Sequence, residues 1–89
     1  MKIIFTLHAK EKLLTPEIKN LTINHNKIIN ILKNPGVVDK TVDPHQSIGH
    51  LTDELSLSVI WKVEKGRIKV VTFYPAGKGR YENKILQRR

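Results

Sequence analysis

The ten residues from Leu55 to Glu64 alternate, with Leu55, Leu57, Val59, Trp61 and Val63 set against Ser56, Ser58, Ile60, Lys62 and Glu64. A period of two places the two sets on opposite sides of a β-strand. Lys65-Gly66 then reads as a two-residue hairpin turn, and an apolar run returns from Arg67 to Tyr74. Pairing Glu64 with Arg67 puts Val63 opposite Ile68, Trp61 opposite Val70, Val59 opposite Thr72 and Leu57 opposite Tyr74. One face of this hairpin is apolar and has to be covered, with Trp61 in the core and Tyr74 at its edge. The other face sets Lys62 opposite Lys69, which is unfavourable unless an anion or acid lies between them.

The residues before the hairpin supply the cover. Lys2 to Phe5 reads as a short strand, and Thr6 can cap a helix that follows through Leu14. Pro16 fits the first position of a restarted helix. Ile28, Ile31 and Leu32 lie at i, i+3 and i+4, so a helix is expected from about Asn24 to Lys33, capped by Thr22 or Asn24 and stopped by Asn34-Pro35-Gly36. From Val37 the period changes to two. Val38 and Val42 flank Lys40 on one strand, Asp43 to Gln46 is a turn, Ser47 to Thr52 a second strand, and Asp53-Glu54 the next corner. Pro75 is expected to end the last strand. The fold class is α+β: an N-terminal strand and two helices packed on a four-stranded antiparallel sheet, one domain over residues 1–89.

Charge narrows the function. Sixteen Lys and Arg against eight Asp and Glu give +8. Residues 77–89 carry Lys78, Arg80, Lys84, Arg88 and Arg89 against Glu82, half of that excess. Such asymmetry suits a polyanion partner such as RNA; a basic tail that only aids solubility is the plain alternative. There is no cysteine, which excludes disulfides and thiolate metal sites and suits a reducing cytoplasm. The apolar start, Ile3-Ile4-Phe5, is too short for a signal core or a membrane span.

The candidate chemistry needs no cofactor. His8, His25, His45 and His50 have no metal-ligand spacing, and the carboxylates form no catalytic pair. RNA cleavage requires a base for the 2′-hydroxyl, a cation for the phosphate and an acid for the leaving oxygen. His8 follows the first strand at a helix start, where the dipole favours the neutral imidazole that a base needs. Arg80 is always charged and can only clamp. Tyr81 can move a proton or stack on a base. Lys62, Lys69, Lys78 and Lys84 are the candidate RNA contacts. His50 beside Gly49 sits where another backbone or a ligand can come close.

Phe5-Thr6-x-His8-Ala9-x-Glu11-Lys12-Leu13, the helix end Ile31-Leu32-Lys33-Asn34-Pro35, and the strand ends Val70-Val71-Thr72-Phe73-Tyr74-Pro75 and Gly79-Arg80-Tyr81 together resemble a group of small prokaryotic proteins of unknown function. That group looks like a branch of the RelE/ParE toxin superfamily, and the resemblance spans nearly the whole chain in element order. It implies a compact sheet with two N-terminal helices. For RelE-like members it implies an mRNA endonuclease, acting on free or ribosome-bound message and paired with an acidic antitoxin. His8, Arg80 and Tyr81 are the matching site positions, while Lys12 stands where the group's pattern has Arg. The leading expectation is a cytoplasmic, metal-independent endoribonuclease of toxin type. The alternative is a non-enzymatic binding module, either a ParE-like toxin acting on a protein or a plain nucleic-acid-binding protein.

Overall fold

The computed structural model describes residues 2–80. Their order is β1 (Ile3–Phe5), α1 (Leu7–Leu13), α2 (Pro16–Asn20), α3 (His25–Lys33), β2 (Val37–Asp39), β3 (His45–His50), β4 (Leu55–Glu64) and β5 (Arg67–Gly77). The strands form one sheet in the order β1-β5-β4-β3-β2. The α+β class therefore holds, with two corrections. The sheet has five strands and is mixed, because β1 adds to β5 in parallel. Three helices precede β2, since the break at Thr15-Pro16 starts a short helix of its own.

Local chemistry explains the helix starts. The Thr6 hydroxyl accepts the Ala9 N–H at 3.1 Å and donates to the Val71 carbonyl at 2.9 Å, so a single side chain caps α1 and ties it to β5. Asn24 caps α3 by accepting the Lys27 N–H, and Pro16 opens α2. Ala9 and Leu13 turn α1 inward; Leu7 and Leu14 face solvent. The core between helices and sheet gathers Ile18, Ile23, Ile28 and Ile31 against Leu57, Val59, Val70 and Phe73. Gly49 faces Ile31, whose Cγ1 would lie 2.7 Å from an added Cβ. Its missing side chain thus admits α3, not a ligand.

The hairpin turns at Lys65 and Gly66, both at positive φ, as a primed two-residue turn requires. Glu64 pairs with Arg67 and Trp61 with Val70, as the alternation predicts. The register then shifts: Ile60 pairs with Thr72, Val59 with Phe73 and Leu57 with Pro75, leaving Val71 as a bulge residue. Without the bulge, Thr72 and Tyr74 would point at the helices and Phe73 away from them. With it, Phe73 is fully buried in the core, which favours the fold by about 2–3 kcal/mol.

Pro75 lies inside β5 and does not end it. The Phe73 carbonyl faces away from β4 and accepts from Lys12. Alternation turns the Pro75 nitrogen to that same edge, beyond the short β1, so no ladder bond is lost. Strands β2 and β3 also differ from expectation. Asp39 is the last residue of the β2 ladder, and its carboxylate accepts the Thr41 N–H at 2.9 Å in a turn that ends β2 before Val42; β3 begins already at His45. No helix among the described residues is long and apolar enough to cross a membrane.

Candidate functional site

Two clefts bring polar side chains together. The first, of about 360 Å³, runs along α1 and is lined by His8, Glu11, Lys12 and Thr15. Helical spacing sets His8 and Lys12 one turn apart on α1, and Thr15 follows at the start of α2. Lys12 leans over the open edge of β5, where β1 has ended. Its Nζ donates to the Phe73 carbonyl and sits 4.5 Å from the Tyr74 ring centre and 5.2 Å from that of Phe73. Partial burial pushes this ammonium below the usual lysine range, and the Glu17 carboxylate pulls the other way. Tyr74 is 40 % exposed, so its ring has one face on Lys12 and part of its surface in water. His8 and the partly desolvated Lys12 ammonium share this cleft, and the Tyr74 ring lies against that ammonium at the open edge of β5.

The second cleft, of about 300 Å³, lies at the far end of β5 and is lined by Gly36, Ile48, Gly49, His50, Ser56, Lys78 and Gly79. Lys78 Nζ lies 2.8 Å from His50 Nδ1, and the Lys78 N–H donates to the Glu54 carbonyl at 3.0 Å, which fixes the turn. Among the described residues the two clefts share no lining residue.

The expected site residues are thus distributed over the molecule. His8 lines the α1 cleft and Lys78 the β5-end cleft. Lys62 and Lys69 pair across strands as expected, and an acid does lie between them. Glu64 Oε2 is 3.5 Å from Lys62 and Oε1 is 3.6 Å from Lys69. Lys69 first and Lys62 second hold this carboxyl below its usual range. A phosphate clamp there would compete with a carboxylate already in place. Arg80 is exposed just past β5. Tyr81 and Lys84 lie outside the described residues. The middle of the sheet face turned from the helices is no open basic platform: Ile48, Ser56 and Ser58 are buried on it.

No protein-family model matches the chain, nor does any curated protein or solved structure. The likeness to the RelE/ParE superfamily therefore rests on the residues that carry it.

Sequence reasoning missed two partners. Lys12 stood out only as a departure from the His-Ala-x-x-Arg pattern; its spacing from His8 was the available signal. Tyr74 was read as core-edge, and the bulge that places it is not visible in the alternation. Nor does local sequence join His50 to Lys78, twenty-eight residues apart. Among the described residues, no group of three or more His, Asp or Glu is placed to hold a metal.

Thr72 lies on the face turned from the helices. Its hydroxyl is buried and has no hydrogen-bond partner among the described residues. Such a group costs about 1–3 kcal/mol. Thr72→Val should leave the fold intact and the urea midpoint equal or higher; a clear loss of stability would show that the hydroxyl is satisfied in solution.

Proposed function

We propose that this chain is the toxin-like component of a toxin–antitoxin system, acting in the cytoplasm as a metal-independent endoribonuclease with the α1 cleft as its reacting site. The observation that carries the reading is that His8 and the partly desolvated Lys12 ammonium line one cleft, with the Tyr74 ring 4.5 Å from that ammonium. His8 takes the proton of the RNA 2′-hydroxyl. The 2′-oxygen bonds to phosphorus while the bond to the 5′-oxygen breaks, leaving a 2′,3′-cyclic phosphate. Lys12 holds the charge that grows on the phosphate oxygens, and the Tyr74 phenol protonates the departing 5′-oxygen. The toxin assignment and an acidic antitoxin partner rest on the resemblance and the +8 charge.

One observation favours a non-enzymatic binding module instead. Lys78, one of the tail cations expected to work with His8, lies in a different cleft from it. Binding and cleavage therefore need separate measurements. Binding to a single-stranded RNA should weaken steeply with salt. With at least three phosphate contacts, the slope of log K against log salt is about −2 or steeper. Cleavage is read on free and ribosome-bound message, with 2′,3′-cyclic phosphate ends as the signature. Salt-sensitive binding with no cleavage on either substrate leaves the binding module. Absence of binding at low salt rules out both readings.

A further inference from the structure

The β5-end cleft has a composition that the RNA-cleavage reading does not use. Lys78 is exposed, and its ammonium meets no carboxylate among the described residues that line the cleft. Its one described side-chain partner is the His50 ring, at 2.8 Å. An ammonium only donates, so Nδ1 accepts and the imidazole hydrogen sits on Nε2. Ser56 pairs with His50 across β3 and β4. It is 3 % exposed and lines the same cleft. The remaining described walls are Ile48 and the glycines at 36, 49 and 79, which add no negative charge.

An ammonium held against an imidazole nitrogen is a weakly compensated cation, and the Ser56 hydroxyl in the same cleft is a potential donor. A phosphate oxygen satisfies both. It gives Lys78 an anionic acceptor, which forms a stronger hydrogen bond than a neutral ring nitrogen, and it gives Ser56 an acceptor. The volume is within the lower range of small-ligand sites. We propose that this cleft is a phosphate-binding site in which Lys78, His50 and Ser56 hold the phosphate oxygens, separate from the α1 cleft. The phosphate is either a free or terminal one or a phosphodiester of a bound nucleic acid strand.

Imidazole resonances of His50 report the outcome. The protein is titrated with inorganic phosphate and, separately, with a short 2′-deoxyoligonucleotide lacking terminal phosphates, which has no 2′-hydroxyl to be cut. Saturable movement of the His50 signals by inorganic phosphate identifies the free or terminal source; movement by the oligonucleotide alone identifies the diester. In either case Lys78→Ala should weaken binding by about tenfold or more, and Ser56→Ala should weaken it less, with backbone amide spectra confirming both folds. His50 signals unmoved by either probe overturn the proposal. So does binding that Lys78→Ala leaves unchanged. Because the oligonucleotide cannot be cleaved and neither variant touches the α1 cleft, failure here leaves the RNA-cleavage reading standing, and the reverse also holds.

Discussion

Lys12→Ala should lower RNA cleavage by about a hundredfold or more while leaving the fold in place. The side chain is only half-buried, and its loss frees the Phe73 carbonyl to water at the open strand edge. What disappears is the Lys12 ammonium, the one Lys or Arg among the described residues that line the α1 cleft, and with it the charge that meets the phosphate as the 2′-oxygen attacks. His8→Ala should cost a similar factor, because it removes the base. Lys12→Arg separates charge from architecture. Arginine stays protonated at every accessible pH, whereas burial pushes the lysine below its ordinary range. The wild type should therefore lose activity on the alkaline side earlier than an ordinary lysine allows, and Lys12→Arg should move that limb upward. If both alanine variants cleave within a few-fold of wild type, the α1 cleft is not the reacting site. An alkaline limb that stays put in Lys12→Arg assigns it to another group.

Most of the fold was legible because most of its determinants are local. Asn24 and Thr6 cap helices through hydrogen bonds that span three residues. Lys65-Gly66 turns the hairpin through its own backbone geometry. What escaped was set by contacts across the chain. Nothing in Ile3-Ile4-Phe5 says that it lies beside Ile68, Lys69 and Val70 in parallel. Pro75 reads as a strand breaker until the empty edge beside it is known. The same limit applied to function. His8 was identified on local grounds and lies in a cleft. The meeting of Lys12 with Tyr74 depends on how α1 meets the bulged β5, and Lys78 lines the other cleft, where its N–H is tied to Glu54.

The bulge at Val71 decides which aromatic of β5 is structural, and substitution can read that decision. Phe73→Ala removes a ring that is fully buried among helix and sheet residues. Deleting a core phenylalanine costs about 3–5 kcal/mol, and a domain of this size has a total stability of roughly 5–15 kcal/mol. The variant should lose a large share of its stability, with its melting temperature lowered by roughly 10 °C or more. Tyr74 is partly solvated and loses chiefly its contact with Lys12. An exposed cation–π contact contributes only about 0.5–1 kcal/mol, so Tyr74→Ala should shift the melting temperature by a few degrees. An unbulged ladder predicts the opposite ranking, because it would turn Tyr74 inward and Phe73 out. Phe73→Leu keeps most of the volume and serves where Phe73→Ala does not fold. If Tyr74→Ala destabilises more than Phe73→Leu, the register after Val70 is wrong, and the placement of Tyr74 beside Lys12 goes with it.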